Sequence, residues 1–243
     1  MSRAYTYDWS SLDRQSLFDL MYLVKDQVQG KPIKVNKFHS IVSKHIKSFL
    51  PIRSCKGMDA EAPKGHVLVG GTYHSYYDKE RKKSIDLCID YNPTDKVILM
   101  SRLSFNRFCT GVADSILHEI IHMRQFRRRK FKSIPYYTGT AEKSKQRKEQ
   151  SYLGDADEIG AYSFNIACEL NDKFKGNTKK VIEYLNESRR IKLKGKNSWT
   201  MYLRAFDYNH NHEIIKRVKK RVMYYVTRNQ LNKPFQSKDW ISQ

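Results

Sequence analysis

Residues 113–126 read Ala-Asp-Ser-Ile-Leu-His-Glu-Ile-Ile-His-Met-Arg-Gln-Phe, which sets two histidines and a glutamate at a spacing suited to a metal ion. His118 and His122 are four apart. On a helix their imidazoles leave from one face and can hold a single metal ion. Glu119 is displaced by about 100° around the axis from His118, where it reaches a water on the metal rather than the metal itself. Zinc suits two imidazoles and a carboxylate, has no redox chemistry and lowers the pKa of its water towards 7. Glu119 would take the proton of that water as it attacks a polarised carbonyl, so the expected reaction is hydrolysis of a protein or peptide substrate. Ala113, Ile116, Leu117 and Ile120 form the apolar stripe that would pack this helix into a core. HExxH arises by chance in about one chain in a hundred of this composition. The bland alternative, a surface His pair on an amphipathic helix, does not account for the apolar setting.

A catalytic zinc keeps three protein ligands and one open position, so a third ligand must follow. Gln125 stands third after His122 and Arg128 sixth, which excludes the pattern HExxHxxGxxH. The next acidic cluster is Gly154-Asp-Ala-Asp-Glu158-Ile-Gly-Ala161-Tyr162-Ser-Phe164, opening a helix downstream. This arrangement resembles the gluzincin branch of the zincin metallopeptidases, in which a Glu on a downstream helix completes a His/His/Glu site. The resemblance implies a zincin-like fold with zinc on His118, His122 and Glu158 and with Glu119 as general base. Glu158-x-x-Ala161-x-x-Phe164 also looks like the downstream helix of the ImmA/IrrE-type metallopeptidases, a family associated with phage repressors and stress regulators. That similarity covers the two helices alone, and Asn165 departs from it where the family tends to have a small apolar residue. A small residue at Ala161 would let the two helices approach closely, which favours Glu158 as the ligand. Asp155 and Asp157 stay open as alternatives: as ligands, as groups orienting an imidazole from behind, or as favourable charges at a helix N-terminus.

Charge developing on the substrate oxygen needs a hydrogen-bond donor. Tyr152 and Tyr162 are candidates, with Tyr136, His210 and His212 behind them, although most of the 16 tyrosines must be packing residues. The strand Ile85–Tyr91, at a sheet edge, would pair with an extended substrate.

Lys plus Arg is 46 against 25 Asp plus Glu, a net charge of +21. Ten basic residues and one acid, Glu142, lie between Arg124 and Lys148. Arg127, Arg128, Arg129 and Lys130 are candidate contacts to nucleic acid, which would be bound through its backbone, without sequence preference and with strong salt dependence. The competing explanations are helix-end electrostatics and the composition of an AT-rich, phage-like genome. The last helix sets Lys216, Arg217, Lys219, Lys220 and Arg221 against an apolar stripe, either as a solvated face or as an anion-binding one. A nucleic-acid-binding protein on a zincin scaffold is therefore the second functional reading. A hybrid resembling the SprT-like DNA-associated proteases meets an objection. That family generally completes its site with a third His, and none follows His122 before His210.

The elements that must position these residues read as α+β. Helices are expected from Ser11 until Gly30 and Pro32 end the first, and over about 36–49, where Pro51 breaks the second. Strands follow at His66–His74 with a glycine bend, at Ile85–Tyr91 and at Val97–Met100. Helices then run over about 110–128, 155–174, 177–190, 198–208 and 212–229. The whole is expected as one metallopeptidase-like domain, residues 1–243, with a helical N-terminal segment over residues 1–58, a small sheet over 59–101 and a helical metal-binding segment over 102–243. No run is long enough to span a membrane and the N-terminus has no apolar core for secretion, so a cytoplasmic location is expected, in a host cytoplasm or virion if the chain is phage-encoded. Cys55, Cys88, Cys109 and Cys168 form no CxxC pair, which excludes a cysteine-based zinc site and suggests reduced, buried thiols.

Overall fold

Alternation from Ile85 to Tyr91 decides how the N-terminal half of the chain folds. Ile85, Leu87, Ile89 and Tyr91 are fully buried, whereas Asp86, Cys88 and Asp90 between them are half-buried on the opposite face. The structure, a computed structural model, describes residues 8–59, 62–187, 197–228 and 230–231. It is mixed α+β and divides into two compact units, Met1–Phe131 and Lys132–Gln243.

After a 3₁₀ turn at Trp9–Ser11, the first unit contains α1 (Arg14–Tyr22), α2 (Lys25–Val28), β1 (Pro32–Lys34), α3 (Val35–Phe49), β2 (Arg53–Met58), β3 (Val67–Tyr73), α4 (Ser75–Lys79), β4 (Ile85–Tyr91), β5 (Val97–Leu99) and α5 (Arg102–Arg128). β1 and β5 form an antiparallel pair. In the three-stranded sheet β4 is central, with β2 parallel on one side and β3 antiparallel on the other. Ile85–Tyr91 is therefore not the edge strand that its alternation suggested. A strand packed on one face alternates whether it is central or at an edge, and Arg-Ser-Cys-Lys-Gly-Met of β2 carries no period that would announce its second neighbour. β1 and β2 both fall in the segment 1–58 expected as helical, β1 between its two expected helices and β2 after the second.

The same pairing corrects the reading of the cysteines. Cys55 of β2 and Cys88 of β4 are register partners and form a disulfide across the two strands. Their separation of 33 residues in the chain conceals that adjacency. Cys109 and Cys168 are buried thiols, and burial pushes that of Cys109 up to about 12.

α5 is a 27-residue helix capped at its start by Ser101, whose hydroxyl accepts from the Ser104 backbone at 3.2 Å. Phe105, Phe108, Cys109, Val112, Ala113, Ile116, Leu117 and Ile120 recur at spacings of three and four and are buried. A second stripe, Gly111, Ser115 and Glu119, faces β3. A Cβ on Gly111 would sit 3.9 Å from the Val69 side chain, and the Ser115 hydroxyl donates to the Val69 carbonyl at 3.4 Å. Two small residues at a spacing of four let the strand lie close on the helix. Near the C-terminus of α5, Arg127 donates through Nε and Nη2 to Asp78 at 2.8 and 2.6 Å, and the Tyr73 hydroxyl donates to the same carboxylate at 2.8 Å. The Asp78 side chain is 3% exposed. Loss of Arg127 would leave that buried charge poorly compensated, at a cost of about 3 kcal/mol. Lys130 and Phe131 then take positive φ (52° and 60°), which ends the helix.

The second unit is helical: α6 (Ser144–Leu153), α7 (Ala156–Lys173), α8 (Thr178–Asn186), α9 (Ser198–Ala205) and α10 (Glu213–Thr227). α7 packs against the other four. It buries Ile159, Ala161, Phe164, Ile166, Ala167 and Leu170, and Phe164 meets Tyr225 of α10 edge-on at 5.5 Å. α6, Ser-Lys-Gln-Arg-Lys-Glu-Gln-Ser-Tyr-Leu, has no counterpart among the expected helices because only Gln150 and Leu153 of it are buried. Gln150 accepts from the backbones of Thr140 and Ala141 and donates to the Ala205 carbonyl, each at 2.9 Å, which pins the preceding loop. The helix expected over 177–190 closes at Asn186, and residues 188–190 lie outside the described residues. Among the described residues no helix is long and apolar enough to cross a membrane.

The disulfide makes a simple prediction. Unfolded under non-reducing conditions, the chain should present two thiols to a thiol reagent, and four after reduction. Four thiols without reductant would contradict the Cys55–Cys88 pair.

Candidate metal centre

The helical spacing of four brings the two imidazoles of α5 together. His118 Nε2 and His122 Nε2 are 3.1 Å apart, and both residues are buried. The other ring nitrogen of His122, Nδ1, is 3.1 Å from Gln125 Oε1. Glu119 is buried too, but it turns towards β3. A Cβ built on Gly71 would lie 2.6 Å from Glu119 Cγ and 2.8 Å from its Oε1. Only a glycine allows the carboxylate to rest against that strand, so the glycine bend seen in the sequence marks a close approach of helix to backbone.

In the second unit, the first turn of α7 sorts its three acids. Asp155 is the N-cap, its Oδ1 accepting from the Asp157 backbone at 2.8 Å. Asp157 is buried and lies near the Arg221 guanidinium of α10. Glu158 is half-buried among tyrosines. Tyr152, half exposed as a whole residue, hydrogen-bonds to Glu158 and to Tyr162, and desolvation at its hydroxyl end followed by these neighbours raises its phenol above the usual range. The rings of Tyr152 and Tyr162 are 6.2 Å apart and those of Tyr162 and Tyr202 5.8 Å. Tyr202 is fully buried, and burial, with Glu158 nearby, raises its phenol as well.

His118, His122 and Glu158 form a group that could hold a metal ion: each offers one ligand atom, and these atoms lie within 4.8 Å of one another. Asp155, Asp157 and Glu119 are not members of the group.

The remaining candidates take other places. Tyr136 is 83% exposed on a loop. His210 packs on Trp199, and burial lowers its pKa. His212 packs on Phe206 at 4.5 Å and caps α10, its Nδ1 accepting from the Ile214 backbone. Of the four basic residues ending α5, Arg127 is engaged by Asp78 and Arg129 stacks on the Phe126 ring at 4.5 Å. Arg128 and Lys130 are exposed. Arg221 does not belong to the solvent-facing row of the last helix. It is half-buried, burial lowers its pKa, and its neighbours include Asp157, Tyr202 and Tyr225. Sequence reasoning did not single out Gly71, Gln125 or Tyr202. Gly70-Gly71 inside a strand was the available signal for the first, and the spacing of three from His122 for the second. Tyr202, one of 16 tyrosines, carried none.

The chain matches no protein-family model, no curated protein and no solved structure.

Substitutions in the first turn of α7 should separate a ligand from a cap. Glu158→Ala should weaken metal binding by at least about tenfold in a chelator competition. Asp155→Ala should leave metal affinity within about twofold and instead lower stability by about 1 kcal/mol through loss of the cap. The reverse order would move the ligand to the aspartate.

Proposed function

We propose that the protein is a zinc-dependent metallopeptidase, and the observation that carries this reading is the convergence of His118, His122 and Glu158 with Glu119 held outside that group. Two neutral imidazoles and a carboxylate are a donor set that fits zinc and leaves a fourth position open. The same set serves non-haem iron(II). What favours zinc hydrolysis is a buried carboxylate one residue from the first histidine that is not itself a ligand. When bound, zinc lowers the pKa of a water towards 7 and polarises a carbonyl oxygen.

The chain's own residues supply the rest. His118, His122 and Glu158 would hold the ion. Glu119 accepts the proton of the attacking water and passes it to the leaving amine. Gly71 leaves room for the Glu119 carboxylate. Tyr152 gives its single hydroxyl proton to Glu158, and Tyr162 beside it offers a hydroxyl as donor to negative charge developing on the substrate. β3 is an edge strand, and its backbone at Gly71 runs against the base. A substrate segment adding to β3 through main-chain hydrogen bonds would lie beside Glu119. The engagement of Arg127 and Arg129 within the fold supports this reading over a nucleic-acid-binding scaffold centred on residues 127–130.

Glu119→Gln should retain zinc and thermal stability while peptidase turnover falls by several orders of magnitude, measured on a denatured protein substrate with chelator-treated enzyme as the blank. Loss of zinc from this variant would make Glu119 a ligand, and unchanged turnover would remove it as the base. Gly71→Ala should act on the same step by displacing the carboxylate, with zinc content unchanged.

A further inference from the structure

We propose that Gln125 is a positioning residue for the metal ligand His122: its amide oxygen, 3.1 Å from Nδ1, holds the imidazole proton there and so leaves the Nε2 lone pair for the ion. The inference rests on the metal-centre reading and assigns a role to a residue that is neither ligand nor base.

A neutral imidazole carries one proton and two nitrogens, and the partner of one nitrogen decides which of them can act as a ligand. His122 Nε2 faces His118 Nε2 at 3.1 Å, and for the two to bind one ion each must present its lone pair there, which puts the proton of His122 on Nδ1. Nδ1–H then donates to Gln125 Oε1. The spacing of three puts Gln125 on the same face of α5 as His122, and both lie within the continuous helix. Gln125 is half-buried and His122 buried, so water competes poorly for this hydrogen bond. An amide presenting its NH₂ instead would donate to Nδ1 and drive the proton onto Nε2, where it would block the ligand position. An acceptor is therefore required, and a carboxylate would serve as well as the amide. Because a carboxylate also makes the imidazole more basic, it should strengthen the bond to the metal.

The test compares Gln125→Leu, which removes the acceptor, with Gln125→Glu, which keeps one. Zinc affinity is read by competition with a chromogenic chelator, and the thermal midpoint is measured on metal-free protein. Gln125→Leu should weaken zinc by about 10–100-fold, Gln125→Glu should bind zinc at least as tightly as the parent, and the metal-free midpoints should agree. Equal affinity of Gln125→Leu and parent, or equal weakening in both variants, would overturn the proposal. A metal-free midpoint that falls in both variants would do the same, because it would assign Gln125 to the fold. His122→Ala in the same assay separates the positioning role from the metal centre itself. If His122→Ala loses zinc while Gln125→Leu does not, only the positioning role fails. If the parent itself binds no zinc, the metal-centre reading fails with it.

Discussion

Glu119 rests against the backbone of β3, and the space for it exists only because residue 71 has no side chain. A Cβ there would stand 2.6 Å from Glu119 Cγ. Much of the first unit serves that approach. Gly111 and Ser115, two turns and one turn earlier on the same stripe of α5, keep the strand close to the helix. Asp78 ties Tyr73, at the end of β3, to Arg127, at the end of α5. β4 holds β3 in register, pairing Leu87 with Gly71, while its buried row of Ile85, Leu87, Ile89 and Tyr91 anchors the sheet in the core. The position of one carboxylate is thus fixed by two glycines, one small side chain and a buried ion pair, which is a more demanding constraint than burial of an apolar stripe.

The polar residues of α7 divide their roles by position within a single turn. Asp155 caps, Asp157 is buried with Arg221 among its charged neighbours, and Glu158 receives a hydrogen bond from Tyr152. A carboxylate that accepts from a phenol has one direction of approach reserved and the remaining lone pairs oriented. Such support from behind would keep Glu158 in place as a metal ligand. Asp155 is taken up by the backbone as a cap, and neither it nor the buried Asp157 belongs to the group that could hold a metal.

How much of this was legible in the sequence depended on whether the signal was local. His118, Glu119 and His122 follow from one helical period, and the apolar stripe beside them was equally plain. Glu158 was a choice among three acids that spacing alone could not close. The alternation of Ile85 to Tyr91 announced a strand but not its place, because a neighbour such as β2, with Arg, Ser and Lys among its residues, is recruited by pairing rather than by its own pattern. The Cys55–Cys88 disulfide was hidden for the same reason, since two residues 33 apart become neighbours only through register. α6 escaped because a polar helix that buries two side chains has no amphipathic period to read. Arg221 looked like one of a row of surface cations, and only the packing of α10 on α7 distinguishes it from Lys220.

X-ray absorption at the zinc edge, recorded on protein loaded with one equivalent of zinc, would decide whether His118, His122 and Glu158 hold a metal together. Such a site predicts a four-coordinate ion with two imidazole nitrogens at about 2.0–2.1 Å, identified by the ring scattering, and oxygen in the remaining positions. A spectrum without imidazole scattering, with one imidazole only, or with sulfur bound to the ion would contradict it.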